Sequence, residues 1–388
     1  MISVQEARHI ITNITTNKKI VEKPLQEVFN YVLAETIVSR INMPPFRQSA
    51  MDGYGVISLD RTEFEVINEV KAGDSGEMNI QPHQAIKIFT GAKIPDTVQA
   101  IIQIEKCTRE NDQLSIAEPA KLNQNIRPIG EQIKEGNIAL EAGTILNPAA
   151  IGFLASLGIA KVKVYEKPSV GIVITGNELA SPDEILSGGM VYESNGIMLQ
   201  VAIKEYCSKC TIYQIKDSLE ETTNCIQTAL QHHDVVLISG GISVGDYDFV
   251  YEGLTQNEVE VLFYKVNQKP GKPLLFGKKE NKYTFALPGN PAASLTCFYI
   301  YVLPLLKKYM GINGVDNQSQ TVQIAHNFEV NNTRSQFLKA YYKNGYVNIL
   351  THQNSSMLNT FAQANCLLFL ESGVYSIVKE DWVDIYSI

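Results

Sequence analysis

The chain has 388 residues, 45% of them apolar and 19% charged, the balance of a folded globular protein rather than a disordered one. At about 100–200 residues per domain it should form two to four domains. With 41 acidic against 33 basic residues its net charge is −8, which argues against nucleic acid as the main partner while leaving room for a small anionic ligand at a local cationic cluster. No apolar run approaches the ~18 residues that span a bilayer; the longest, from Phe298 to Leu306, is broken by Pro304, so no membrane partner is expected. Met1 to Thr16 includes Arg8 and His9 and has no apolar signal core, so a cytoplasmic location is expected. The six cysteines are scattered and do not resemble a disulfide framework.

In chain order, Val4 to Arg40 shows apolar residues at helical spacing (Val4, Ala7, Ile10, Ile11, then Val28, Tyr31, Val32, Ala34), and helices are expected there until Pro44-Pro45 stops them. From Phe46 to about Leu140 short apolar runs alternate with Gly, Asp, Asn and Pro clusters, the texture of a β-rich insertion. Asn147 to Gly158 reads as one helix, with Pro148 in its first turn and Gly158 at its end. Within 168–311 strands, two of them unbroken apolar runs (Val170 to Ile174 and Asp234 to Ser239, with Thr211 to Ile215 between them), alternate with helices (Asn195 to Tyr206, Leu219 to Gln231, Ala292 to Met310). That grammar implies a parallel-type sheet covered on both faces. In the tail, Asn344-Gly345 between alternating runs is a hairpin signal within a small β-barrel or sandwich.

Ligands of an open parallel sheet bind beyond the carboxyl ends of its strands. Three segments fall there: Thr175-Gly-Asn-Glu178, Ser239-Gly-Gly-Ile-Ser-Val-Gly-Asp-Tyr-Asp248, and Leu287-Pro-Gly-Asn-Pro291. Gly240, Gly241 and Gly245 let backbone amides approach an anion, with Ser239 and Ser243 adding hydroxyls. Asp246 and Asp248 beside such a loop suit Mg²⁺; the alternative for Asp246 is a cap on the next helix. Lys269-Pro-Gly-Lys-Pro273 places two cations on a stiff turn, and its Pro-Gly-x-Pro pattern recurs at Pro288 to Pro291; these read as two rigid turns at one rim of the sheet. Asn290 should cap a helix start that is itself an anion site. Upstream, the apolar and aromatic flanks of Asp52-Gly53 suggest a carboxylate held in a site; Thr90-Gly91 and Glu105 share its β region, and Asn125-Ile-Arg127 could add a cation. Cys207-x-x-Cys210 lacks a second pair and reads as two ordinary, partly buried thiols.

Taken together, Ser49 to Tyr54, Phe89-Thr-Gly-Ala92, Asn125-Ile-Arg127 with Gly130-Glu131, Thr175 to Leu179, Glu193-Ser-Asn195, Ser239 to Asp248, Lys269 to Pro273 and Leu287 to Pro291 resemble, in the same order, the molybdopterin molybdenumtransferase family, the bacterial counterparts of the gephyrin E domain. The resemblance implies a multidomain α/β homodimer. Its parts would be a helical N-terminal domain (1–45 with 141–167), a β-rich insertion (46–140), a molybdopterin-binding α/β/α domain (168–311) and a C-terminal small β-barrel (318–388). It implies an enzyme that takes adenylylated molybdopterin and molybdate, hydrolyses the adenylate with Mg²⁺, releases AMP and inserts molybdenum. The cleft would join the α/β domain of one subunit to the β insertion of the other, with transient contacts to an adenylyltransferase and to acceptor molybdoenzymes. Carried over by position, Asp52, Thr90, Glu178, Asp246, Asp248, Lys269 and Lys272 would be catalytic, and Asp52, Glu178, Asp246 and Asp248 would hold the metal. Arg127, Ser239, Gly240, Gly241, Ser243, Gly245, Pro288, Gly289, Asn290 and Pro291 would hold phosphate, oxyanion and pterin. Two positions depart from the family pattern: Gln132 follows Gly-Glu where Asp is common, and Asn177 precedes Glu178 where Asp is frequent. The alternatives are a non-catalytic molybdopterin-binding scaffold and the adenylyltransferase that makes the precursor.

Overall fold

The computed structural model describes residues 1–75, 77–242, 249–312, 314 and 319–388; of the expected site, Ser243, Gly245, Asp246 and Asp248 lie outside the described residues. By its contacts the chain divides into two units, residues 1–22, 30–34 and 163–388, and residues 23–29 and 35–162.

The first unit is built on a six-stranded sheet in the order Lys209–Ile215, Ser169–Thr175, Val235–Ser239, Lys282–Leu287, Leu275–Lys279, Glu260–Tyr264. The first four strands are parallel; Leu275–Lys279 runs against them and Glu260–Tyr264 against it in turn, so the expected parallel sheet ends in two antiparallel pairings. Apolar side chains face both ways, which is why the central strands read as unbroken apolar runs. Val170, Ile172 and Ile174 pack with Leu199, Ile203 and Phe298 on one face. Val173, Val236 and Ile238 pack with Ile226, Ala229 and Val250 on the other.

The expected helical N-terminal domain is not found. Val4–Asn13 is a helix, closed by a capping box in which Ser3 Oγ accepts from the Glu6 amide while the Glu6 carboxylate accepts from the Ser3 amide. Its Val4, Ala7 and Ile11 join the core of the α/β sheet. The second expected helix, around Val28 to Ala34, is irregular and extended. Asn30 takes φ +58°, and the Tyr165 amide donates to Val32 O and the Ala34 amide to Lys163 O, each at 3.0 Å. The buried apolar residues there satisfied a helical spacing, but inter-strand hydrogen bonds claimed the backbone.

The closing helix is also not continuous. Pro291–Cys297 and Leu303–Tyr309 are α-helical, and Phe298–Val302 between them is a π turn in which the Leu303 amide donates to Phe298 O. Pro304 has no N–H to offer Ile300 O, and the wider turn absorbs that defect.

The tail forms a closed five-stranded barrel: Ser335–Lys343, Tyr346–Ile349, Ser319–Ile324, Trp382–Ser387 and Cys366–Leu370, which returns to pair with Ser335–Lys343. Val322, Ile324, Ala340, Val347, Leu368 and Ile385 fill it. Asn344 (φ +53°) and Gly345 (φ +88°) make the expected hairpin turn. A short strand, Gln268–Lys269, pairs parallel with Ser335–Gln336 of the barrel.

The second unit carries a six-stranded sheet in the order Ala100–Gln103, Gly53–Val56, Gln84–Ile88, Glu63–Val70, Gln113–Ile116, Cys107–Glu110, the β-rich texture read from the sequence. Tyr54, Val56, Phe64 and Leu114 fill one face; Ile86, Ile88, Ile94 and Val98 fill the other. The helix Pro148–Ser156 belongs here, capped by Asn147 Oδ1 accepting from the Ala150 amide at 2.8 Å. Among the described residues no helix is long and apolar enough to cross a membrane.

Candidate functional site

In the first unit the loops after three parallel strands meet. Asn195, at the start of the helix Asn195–Ile203, donates from Nδ2 to Ser239 Oγ and to Gly289 O, both at 2.8 Å, and so ties the first helix to two strand-end loops. Gly240 (φ +97°) lies so close to the neighbouring strand end that a Cβ there would stand 2.7 Å from Thr175 O; no larger residue fits. Thr175 Oγ1 and Asn195 Oδ1 are buried without a partner among the described residues, and both residues line a cavity of ≈230 Å³ together with Glu178, Glu193, Ser239, Gly289 and Pro291. Buried polar atoms left without partners mark a place where a polar ligand or water completes the hydrogen bonding.

Glu178 also faces a ≈530 Å³ cavity, which it shares with Asp217, Gly241, Pro288 and Asn290. Asn177 stitches the two acidic loops together: its amide donates to Asp217 Oδ2 at 3.3 Å, and its Oδ1 accepts from the Asp217 amide at 3.2 Å. Neither Glu178 nor Asp217 pairs with a lysine or arginine among the described residues, and carboxylate oxygens of this kind are hard donors. Asp217 was missed in the sequence. It follows the strand Lys209–Ile215 at its carboxyl end, so the strand-end rule could have found it.

Next to these lies a cavity of ≈540 Å³ lined by Lys269, Lys272, Arg334, Asn290, Asn354 and Ser355 among others. The two Pro-Gly-x-Pro turns therefore do meet, with Pro270, Pro273 and Pro288 in one wall. The fully buried Gln268 supports the lysine turn from behind: Nε2 donates to Pro270 O at 2.9 Å and to Gly271 O at 3.3 Å. Asn290 precedes the closing helix but makes no side-chain cap, contrary to the simplest expectation; its Nδ2 donates to Ser355 Oγ at 3.0 Å. The Ser355 loop is held by the buried Lys339, whose ammonium donates to the carbonyls of His352, Asn354 and Met357. Arg334, Asn354 and Ser355 come from the barrel, far along the chain and in no motif, and sequence reasoning did not reach them.

The second unit holds the remaining expected residues. Asp52 Oδ1 accepts from the Thr90 amide and from the Thr90 hydroxyl, both at 2.7 Å. The first of these bonds, with the second behind it, holds the Asp52 carboxyl below its ordinary range. Arg127 is in register with Gln48 on the adjoining strand, and the Ala50 amide donates to Asn125 O, so Asp52, Thr90 and Arg127 come from one cluster of neighbouring strands and loops. Among the described residues no three acidic, histidine or cysteine side chains gather as a metal cluster; of the expected set, Asp52 belongs to the second unit and Glu178 to the first, and Asp246 and Asp248 lie outside the described residues. Cys207 and Cys210 are half-buried free thiols that burial pushes up, Cys210 to about 11, and ordinary cysteines rather than reactive ones.

Loops at the carboxyl ends of a sheet, buried unpaired polar groups and a three-cation cavity belong to a multidomain α/β protein suited to an anionic ligand. Family models place it further. Residues 2–158 match the MoeA N-terminal region (domain I and II), residues 171–308 a probable molybdopterin binding domain, and residues 321–388 the MoeA C-terminal region (domain IV). The chain is 32% identical to a molybdopterin molybdenumtransferase of Staphylococcus aureus (strain Mu50) and 33% identical to one of Staphylococcus epidermidis (strain RP62A), each alignment covering 99% of this chain and 95% of the relative. A crystal structure of a molybdopterin biosynthesis MoeA protein from Pyrococcus horikoshii OT3 superposes with a TM-score of 0.82 at 30% identity, with both chains covered completely. The chain belongs to the molybdopterin molybdenumtransferase (MoeA) family.

Proposed function

We propose that this protein is a molybdopterin molybdenumtransferase that inserts molybdate into adenylylated molybdopterin in the last step of molybdenum cofactor synthesis. The observation that carries the reading is the pair of adjoining cavities in the α/β unit, one lined by Lys269, Lys272 and Arg334 and the other by Glu178 and Asp217, with Asn290 and Pro288 in both. In this reading Lys269, Lys272 and Arg334 neutralise the molybdate dianion, and Asn290 and Ser355 orient its oxygens. Ser239, the Gly240 and Gly241 amides and Gly289 hold phosphate, with the unpaired Thr175 and Asn195 oxygens available to the ligand. Pro288 and Pro291 shape the pterin pocket.

Hydrolysis of the adenylate adds water at phosphorus and breaks the pyrophosphate bond, releasing AMP and leaving molybdopterin with its own phosphate. This step needs charge neutralisation and an oriented water more than covalent catalysis. Mg²⁺, when bound, would supply positive charge to the pyrophosphate. The carboxylates of Glu178 and Asp217, neither neutralised by a lysine or arginine among the described residues, are suitable donors for it, joined by Asp246 and Asp248, while Asp52, kept ionised by Thr90, adds a further carboxylate to the same chemistry. Arg127 is assigned to phosphate. We place the enzyme in the cytoplasm as a homodimer that meets an adenylyltransferase and acceptor molybdoenzymes transiently.

The test is AMP release from adenylylated molybdopterin, with and without molybdate and with Mg²⁺ removed by a chelator, for the wild type and Asp52→Ala. Molybdate- and Mg²⁺-dependent release that the substitution abolishes is the expected result. A folded dimer that binds molybdopterin yet releases no AMP would overturn the enzyme reading in favour of a scaffold.

A further inference from the structure

We infer that Gln268, held in place by Tyr301, is a positioning residue that presets Lys269 and Lys272 for an oxyanion. The inference rests on the reading of their cavity as an anion site and names what shapes it. A fully buried amide is tolerated only when its donors and acceptor are satisfied. Here the donors are spent on one stretch of backbone: Nε2 reaches the carbonyls of Pro270 and Gly271, the two residues that separate the lysines. Oε1 accepts from the hydroxyl of Tyr301, itself completely buried and located in the π turn of the closing helix. An apolar side chain would fill the same space at less desolvation cost; what Gln268 adds is a fixed direction for two carbonyls. The lysine head groups are long and exposed, so the backbone that roots them is what fixes their convergence. A turn already set in the bound shape spares the anion the cost of ordering it.

The experiment measures molybdate binding to the full chain by calorimetry, and the molybdate KM and kcat for AMP release. Gln268→Met should weaken molybdate binding roughly 10- to 100-fold, raising KM while kcat at saturating molybdate is retained. Tyr301→Phe, which keeps shape and removes one hydroxyl, should act in the same direction by several-fold, and it carries the test if Gln268→Met does not fold. In a Lys269→Ala/Lys272→Ala background Gln268→Met should add no further loss, because its effect runs through those lysines. An unchanged Kd in both variants, or an equal loss in the lysine-free background, overturns the inference alone. Failure of the wild type to bind molybdate overturns the reading of the cavity and the inference with it.

Discussion

Replacing Gly271 by alanine probes the packing of the lysine turn directly. Gly271 has φ +86°, where a Cβ costs about 1–2 kcal/mol. That Cβ would also stand 2.5 Å from Sγ of Cys297 and 2.8 Å from Nε2 of Gln268. Both neighbours are completely buried, so neither has solvent to move into, and overpacking of this kind costs about 1–3 kcal/mol. The sum is a loss of roughly 2–5 kcal/mol, or some 5–15 °C in the unfolding midpoint of a unit this large. Cys297→Ala removes the nearer obstacle but leaves the backbone strain and the Gln268 contact. In that background Gly271→Ala should therefore cost about 1–2 kcal/mol less. Four proteins, the wild type, both single variants and the double, compared by scanning calorimetry and urea unfolding, complete the cycle. If Gly271→Ala costs the same with and without Cys297, to within about 0.5 kcal/mol, the close approach is not what requires glycine there.

Thr90→Val keeps the amide that contributes most to the low pKa of Asp52 and removes the hydroxyl that contributes next; the Asp52 titration should move up toward its ordinary value, as read by carboxyl NMR and by the acid limb of the AMP-release profile. Asp234 accepts from the Ser169 amide and hydroxyl at 2.8 and 2.7 Å and faces Lys19 at 3.4 Å. Burial pushes its pKa up, but those partners outweigh burial and leave it below the usual 3.8. A depressed folded-state pKa gives stability that is present above the unfolded value and lost as pH falls through the folded one. Asp234→Asn should therefore lower the melting temperature at pH 7 and flatten its fall below about pH 4, measured by melts across that range.

Much of the α/β unit was legible because its central strands are buried on both faces: Val170 to Ile174 and Asp234 to Ser239 have no solvent side that would interrupt the apolar run. The turns at strand ends were legible for a related reason, since glycine, and asparagine in a hairpin turn, tolerate the backbone needed there most readily, as Gly240 and Asn344-Gly345 illustrate. Local pattern failed where pairing decided the outcome. Val28 to Ala34 has the right residues for a helix face, but its carbonyls and amides were taken by residues 163–165, more than a hundred positions away. The closing helix was right in extent, yet the consequence of Pro304 for hydrogen-bond register was not drawn. At the site, motif residues were found by type and Asp217 was within reach of the strand-end rule, whereas Arg334 and Ser355 became visible only in three dimensions. Gln268 carries no signal at all in a linear reading, because a buried glutamine differs from an exposed one only in what surrounds it.

The pairing of Gln268–Lys269 with Ser335–Gln336 has a consequence for synthesis. The lysine turn sits in the last third of the α/β segment, yet the strand that braces it and the loop bearing Ser355 emerge from the ribosome roughly 65 to 85 residues later, a delay of several seconds at ordinary translation rates. A nascent α/β sheet can bury the face packed by Ile226, Ala229 and Val250 before then, but the opposite core also takes Phe337, Leu367 and Tyr386 from the tail, and the cation-lined pocket stays unfinished until the barrel forms. Chains truncated in the tail should lack both the assembled pocket and part of the α/β core, and the tail is therefore not a detachable appendage.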